Sequence, residues 1–168
     1  EGGSLWLVLC AFLIASGVKK SGLARRAALS ICASGHVKDY RSLIAAIAVI
    51  ELAFALIIPS AFARTFVIFA LVKEICEENG LSKMDSVTLY FACFALAVPT
   101  TLIFLTSEAA LNTFVVDYSG LGLNWSGWFG VLGIPNIVYL FLMTILFMKV
   151  FAPSRKIFID GAKCRALL

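Results

Sequence analysis

Three charged residues, Glu51, Arg64 and Glu108, stand within segments of the sequence that are otherwise apolar. A charged side chain at the depth of a lipid bilayer costs roughly 2.5–3.5 kcal/mol on insertion scales, so it usually has a partner or a function. Polar side chains that can bind ions lie near two of them along the chain, and these are Ser60, Thr106, Ser107 and Asn112. A guanidinium, a carboxylate, hydroxyls and an amide in this pattern favour a site for a small anion or cation.

Pairing between the charges is the structural alternative to a solute site. Arg64 and Glu108 could form a buried ion pair with each other, and neither would then contact a solute. Glu51 lies midway along an apolar run, where we expect a structural or water-facing role.

The residue patterns of enzymes and metal sites do not occur in this sequence. The single histidine, His36, lies in a basic segment with no cysteine or second histidine at ligand spacing. There is no G-x-S-x-G or H-E-x-x-H motif, and the five cysteines lack metal-ligand spacing. We therefore predict a protein that is not an enzyme, with no catalytic residue, no metal ligand and no cofactor other than a coupling Na⁺ or H⁺.

The composition is that of an integral membrane protein. The 168 residues are 61% hydrophobic and only 14% charged, with a mean hydropathy of +0.99. Soluble domains are about 45–50% apolar and about 25% charged. The basic residues flank apolar segments instead of forming one patch, which excludes nucleic acid as a partner and indicates a lipid bilayer.

The apolar pattern predicts an all-α fold of transmembrane helices in six segments. These are a first, truncated transmembrane helix at residues 1–18, a basic amphipathic surface helix at 19–42, a re-entrant hairpin at 43–76, a broken transmembrane helix at 84–118, a last transmembrane helix at 128–151 and a cytoplasmic basic tail at 152–168. The short first segment leads us to expect a chain cut from a longer one. Asp85 or Ser86 is expected to cap the broken helix, and Trp125 and Trp128 suit an interfacial belt.

The hairpin is predicted from an interruption inside an apolar stretch. Residues 43–58 are apolar, Pro59, Ser60 and Ala61 follow, and the apolar pattern resumes at Phe62. A helix of the first arm rises about 24 Å, which is less than the bilayer's hydrocarbon thickness of about 30 Å. Broken backbone at that depth is tolerated where it is buried in protein or lines a cavity. We therefore expect the hairpin tip to help bind a solute.

A second interruption is predicted at residues 106–108, ahead of Asn112. Broken helices present N-termini that attract anions and unwound carbonyl groups that attract cations. A broken hairpin paired with a broken helix is the usual midplane site of a secondary transporter.

The distribution of basic residues favours a hairpin that returns to its own side. If residues 43–72 crossed the bilayer once, the basic segments before Leu43 and after Met148 would lie on opposite faces. If the segment enters and returns, every basic residue except Arg64 lies on one face. The rule that cytoplasmic loops are rich in Lys and Arg then places these segments in the cytoplasm, beside a cell membrane.

Four short motifs, at residues 21–26, 58–64, 105–112 and 124–129, occur in order along nearly the whole chain. They resemble the surface helix, hairpin tip, unwound helix and following W-x-x-W-F span of the divalent anion:sodium symporter family. That family is part of the wider ion transporter superfamily.

The resemblance implies one inverted repeat, expected to be the N-terminal one, of an elevator-type symporter for dicarboxylates, citrate or sulfate. It also implies a second repeat and a homodimer as partners. Ser60 would serve the first cation site and the anion, and Thr106, Ser107 and Asn112 would line the facing unwound loop. The residues expected to bind solute or ion are Ser60, Ala61, Arg64, Thr106, Ser107, Glu108 and Asn112.

One departure from the family pattern leaves other functions open. The family's Asn-Thr after the tip serine is here Ala61-Phe62, which removes two side chains that contact the carboxylate and sodium. One hypothesis is that Glu108 carries a proton or holds the cation in place of the missing amide. The alternatives are a structural or degenerate membrane subunit and a transporter from another branch of the superfamily.

Overall fold

The computed structural model describes residues 37–153 and 158–159, together with isolated positions between residues 6 and 30. The expected helix at residues 1–18 therefore lies largely outside the described residues, as do most of the expected surface helix at 19–42 and most of the tail at 152–168. In the described part, the only β contact is an isolated bridge between Asp39 and Phe158. The fold is all-α.

Residues 37–153 form six α-helices and one π-helical turn, which we number in order. They are α1 (Tyr40–Ile57), α2 (Ala61–Glu78), α3 (Lys83–Ile103), α4 (Ala109–Ser119), α5 (Trp125–Trp128), the π-helical turn (Phe129–Gly133) and α6 (Ile134–Lys149). Within the part of the chain that the structure describes, three segments are long and apolar enough to cross a membrane, namely Tyr40–Ile57, Lys83–Ile103 and Trp125–Lys149. The helix α2 is not one of them because it carries five charged residues along its 18 positions.

Helix α1 begins at a capping box and ends before a proline. Asp39 accepts a hydrogen bond from the Ser42 backbone N–H at 2.8 Å, and the Ser42 hydroxyl accepts one from the Asp39 N–H at 2.9 Å. Ile58 is extended, with φ −109° and ψ 104°, because the ring of Pro59 disfavours helix in the residue before it. Ser60 then forms the N-cap of α2.

Helix α2 folds back along α1 and runs antiparallel to α3. Glu51 and Arg64 would be about 20 Å apart in one straight helix, yet the Arg64 Nε lies 3.6 Å from the Glu51 Oε2. The ring of Phe69, in the middle of α2, lies 4.7 Å from that of Tyr90 in the first half of α3. The chain therefore reverses direction at residues 58–60 and again at 79–82.

Helix α6 runs antiparallel to α3. The rings of Phe91, early in α3, and Phe147, late in α6, lie 5.7 Å apart. At the other end, the Trp128 Nε1 donates to the Leu102 carbonyl at 3.0 Å. Over the most apolar 18 residues of each segment, only 17% of Trp125–Lys149 is buried, against 56% for α1 and 50% for α3, so Trp125–Lys149 lies at the edge of the bundle.

Both ends of the described bundle meet at one side. The Ile159 N–H donates to the Lys38 carbonyl at 3.0 Å, and Asp39 pairs with Phe158 in the isolated bridge. Lys38 precedes α1 and Ile159 follows α6. The start of α1 and the chain after α6 therefore lie at the same end of the bundle.

The π-helical turn packs closely on the end of α3. A Cβ atom placed on Gly133 would lie 2.7 Å from the Ile103 carbonyl oxygen and 2.5 Å from Cδ2 of Phe129. Only glycine fits at that distance without a shift of the backbone. Phe104, Trp125 and Phe129 stack beside it, with ring centroids 5.6–6.2 Å apart.

Two expectations about local structure were wrong. The N-cap of α3 is Ser82, not Asp85 or Ser86, because the Ser82 hydroxyl accepts from the Asp85 N–H at 3.2 Å and donates to its carboxylate at 2.6 Å. Trp128 is buried and does not belong to an exposed belt, because its indole N–H caps the end of α3.

Candidate functional site

The two interruptions lie against each other, and two hydrogen bonds join them. The Ala61 N–H, at the start of α2, donates to the Glu108 Oε2 at 2.5 Å. The Ala109 N–H, at the start of α4, donates to the Pro59 carbonyl at 3.4 Å. The N-termini of α2 and α4 therefore converge on one place, with a carboxylate between them.

The tip of the hairpin offers backbone groups more than side chains. The Ser60 hydroxyl accepts from the Ala63 N–H at 3.5 Å as the N-cap of α2, and both Ser60 and Ala61 are partly exposed. The Ala61 side chain is a methyl group, so this residue contributes only its N–H. The adjacent Phe62 is 73% exposed and points away from the core.

Arg64 is fully buried and joins both interruptions to the helices around them. Its Nη1 donates to the Ile58 carbonyl at 2.8 Å and to the Ser107 carbonyl, and its Nη2 donates to the Thr100 hydroxyl at 3.4 Å. All of its groups face protein, so Arg64 lies behind the accessible surface of the site.

The ion pair of Arg64 is formed with Glu51, and the alternative of a pair with Glu108 was wrong. Arg64 reaches back along α1, whereas the Glu108 carboxylate lies at the N-terminus of α2. Both side chains of the actual pair have zero exposure, so the water-facing alternative for Glu51 was also wrong. Within the described residues, neither carboxylate oxygen of Glu51 accepts a hydrogen bond.

Ser107 and Asn112 are buried and turn toward the end of α3. The Ser107 hydroxyl lies 2.8 Å from the Thr101 carbonyl oxygen and 2.7 Å from that of Phe104. The Asn112 amide donates to the Thr101 carbonyl at 2.8 Å. The last carbonyls of a helix have no partner within it, and these side chains supply one. The Oδ1 of Asn112 is buried without a hydrogen-bond partner in the described part of the chain.

The structure thus divides the seven expected site residues into two layers. Ser60, Ala61, Thr106 and Glu108 are partly exposed at the junction of the interruptions. The remaining three, Arg64, Ser107 and Asn112, lie buried behind them. Among the described residues, no cluster of three His, Cys, Asp or Glu side chains could hold a metal ion.

Sequence reasoning did not connect three residues, Thr100, Trp128 and Glu51, to this junction. Thr100 accepts a hydrogen bond from Arg64, and Trp128 donates one to the Leu102 carbonyl at the end of α3. Glu51 balances the positive charge of Arg64. The only sequence signal for Glu51 is its charge within an apolar run. No local spacing connects Trp128 to Leu102, because 26 residues separate them.

The sequence matches known transporters along almost its full length. Residues 1–166 match the family model described as the sodium:sulfate symporter transmembrane region. A Bacillus subtilis protein provisionally named a malate transporter, YflS, is 26% identical over 95% of this chain and 35% of its own length. The dicarboxylate transporter 1, chloroplastic, of Spinacia oleracea is 30% identical over 90% of this chain and 28% of its own length.

A third relative, the dicarboxylate transporter 1, chloroplastic, of Arabidopsis thaliana, is 28% identical over 94% of this chain and 30% of its own. The chain therefore spans about a third of the length of these relatives. No solved structure matches it. The family resemblance carried by the four motifs is confirmed.

Proposed function

The chain belongs to the sodium:sulfate symporter family, and from this premise we propose that it forms one repeat of a transporter for a small dianion. The proposed solutes are sulfate or a dicarboxylate. Three relatives that are named as malate or dicarboxylate transporters support this class. The proposal concerns the full-length protein, of which this chain is a part.

The observation that carries the proposal is the convergence of the N-termini of α2 and α4. Each helix N-terminus carries about half a positive charge and N–H groups without helical partners. Anions bind at such termini without any positively charged side chain. The Ala61 N–H already binds a carboxylate, that of Glu108, at 2.5 Å. The junction therefore has the chemistry that an anionic solute requires.

A second repeat completes the site in this proposal. Repeat-built transporters bind solute between their halves, at the membrane midplane. The chain spans 28–35% of the length of the relatives, which leaves room for a repeat of similar size. The exposed Phe62 ring beside the junction suits contact with that second half.

We propose further that α1 and α2 form a re-entrant hairpin with both ends in the cytoplasm. The contact between Lys38 and Ile159 supports this arrangement, because the basic segments before α1 and after α6 then share a side. An odd number of crossings between them would separate these segments. The membrane in question is proposed to be the cell membrane.

We also propose that transport is coupled to a cation and proceeds by an elevator motion. With Ala61 and Phe62 at the tip, a Na⁺ ion would be held by backbone carbonyls, or a proton would replace it. Arg64 donates to the hairpin tip at Ile58 and to the unwound loop at Ser107, which favours movement of the two as one body. On the basis of the same family resemblance, we propose that the full-length protein is a homodimer.

Uptake of labelled malate and sulfate into proteoliposomes containing the full-length protein tests the proposal. We expect saturable uptake that the other dianion inhibits and that a Na⁺ or H⁺ gradient increases. Ser60→Ala, at the junction, should reduce uptake, whereas the exposed Ser119→Ala should not. Failure to take up either dianion with a Na⁺ gradient, with an H⁺ gradient and with no gradient would contradict the proposed function.

A structural or degenerate subunit is the second candidate, and the Ala61-Phe62 departure favours it. Such a subunit would keep the fold and bind no solute. Another branch of the superfamily would transport a different solute, such as arsenite. Uptake of arsenite that neither malate nor sulfate inhibits would distinguish that branch from the first proposal.

A further inference from the structure

The Glu108 side chain does not do what the side chain before a helix usually does. It is the N-cap of α4, yet its side chain makes no capping hydrogen bond to that helix. The carboxylate instead crosses to α2 and accepts from the Ala61 N–H, 47 residues away. A side chain of this chain therefore occupies the N-terminus to which an anionic solute would bind.

We propose that the Glu108 carboxylate is a tethered competitor of the solute, which must displace it from the N-terminus of α2 in order to bind. This inference rests on the proposed function, since it concerns the same junction. It assigns to Glu108 the control of apparent affinity for anions.

The balance of charge at the junction supports competition. The positive charge of Arg64 is balanced by Glu51, which lies 3.6 Å from its Nε. Glu108 is therefore not required as the partner of Arg64, and its negative charge faces the two helix N-termini. A solute carboxylate or sulfate oxygen would form the same hydrogen bond with the Ala61 N–H. Two anions cannot accept that one hydrogen bond together.

The exposure of the groups supports displacement. Ser60, Ala61 and Glu108 are partly exposed, whereas the side chains that brace the junction are buried. Glu108 can swing away about its side-chain torsions without disturbing the Arg64 contacts or the carbonyls of α3. The backbone contact between Ala109 and Pro59 then keeps the two interruptions together.

The test measures the binding of sulfate and of malate to the full-length protein in detergent, followed by its tryptophan fluorescence and by its thermal stabilisation. Glu108→Gln and Glu108→Ala should each lower the apparent Kd roughly tenfold, because a competing bound state is weakened or removed. Glu108→Asp is shorter by one methylene, and its Kd should lie between those of the wild type and Glu108→Gln. Glu77→Gln is the matched control, since this exposed glutamate lies at the other end of α2 and should leave the Kd unchanged.

A Kd that is unchanged or higher in both Glu108→Gln and Glu108→Ala would overturn the proposal. If one of the two fails to fold, the other and Glu108→Asp decide by the same criterion. Loss of uptake in Glu108→Gln with wild-type affinity would assign Glu108 to cation coupling and also overturn it.

Uptake by the same preparations separates this inference from the proposed function. A wild type that transports dianions, with no gain of affinity in the variants, contradicts the competitor alone. A wild type that transports none, with tighter binding in the variants, supports the competitor and contradicts transport.

Discussion

The Arg64 Nε lies 3.6 Å from the Glu51 Oε2, with both side chains fully excluded from the surface and a proline between them in sequence. Arg64 also donates to the carbonyls of Ile58 and Ser107, which belong to the two separate interruptions. One guanidinium therefore connects α1, the hairpin tip and the unwound loop. Its charge is compensated inside the protein, so it needs no solute.

Removing Arg64 should be severely destabilising. Arg64→Ala leaves the buried Glu51 carboxylate uncompensated, and we expect a loss of about 3–5 kcal/mol. The double variant Glu51→Leu with Arg64→Met should lose less than Arg64→Ala, because no unpaired charge remains. Thermal unfolding of the full-length protein in detergent measures both.

The exposed pair of Lys73 and Glu77 is the matched control for that experiment. Its charged atoms are 3.8 Å apart, but the side chains are 56% and 66% exposed. Surface pairs contribute about 0–1 kcal/mol, so Lys73→Ala should change stability little. Equal losses in Arg64→Ala and Lys73→Ala would contradict the structural role of the buried pair.

Gly133→Ala should destabilise the junction of the π-helical turn with α3. The added methyl group would lie 2.7 Å from the Ile103 carbonyl oxygen, which is backbone and cannot turn aside. Overpacking of this kind costs about 1–3 kcal/mol. Gly130→Ala, in the same turn, is the control, since a methyl group there meets nothing within 4 Å. If the two variants unfold at the same temperature, the close approach at Gly133 is not a constraint.

The cap of α1 should make stability depend on acidity. Hydrogen bonding from the Ser42 backbone N–H holds the pKa of Asp39 below its usual value near 3.8. Because the folded pKa is lower than the unfolded one, the contribution is present above the unfolded pKa and is lost as the pH falls through the folded pKa. Asp39→Ala should cost about 1 kcal/mol at neutral pH.

Asp39→Asn separates the cap from its charge. Asparagine is an equally good N-cap, so neutral stability should stay close to that of the wild type. The part of the acid-dependent loss that belongs to Asp39 should vanish. Unfolding temperatures measured between pH 3 and pH 7 check both statements, and an unchanged acid profile in Asp39→Asn would contradict them.

The two interruptions could be predicted from the sequence, because proline and polar residues in an apolar run are local signals. The breaks of the structure at residues 58–60 and 104–108 include Pro59 and Thr106. The family motifs were equally visible, since each lies within eight consecutive residues. The helical secondary structure and the family could therefore be inferred without knowledge of the contacts between distant segments.

The partners of the charged residues could not be inferred in this way. Arg64 pairs with Glu51, and Glu108 binds the backbone of Ala61, because the hairpin folds back and brings its tip to the break in α3. Such contacts depend on the three-dimensional packing of α1, α2 and α3. Ser107 and Asn112 illustrate the same limit, since hydroxyl and amide groups suit a solute as well as the carbonyls that they contact.

The π-helical turn at Phe129–Gly133 determines the directions in which the side chains of α6 point around the helix axis. One residue more than an α-helical turn requires offsets the later side chains by about 100° around the axis. The stripe of α6 that faces away from the bundle is thus set by one additional residue. Deleting one residue there would restore an ordinary α-helix and rotate that stripe by about 100° around the helix axis.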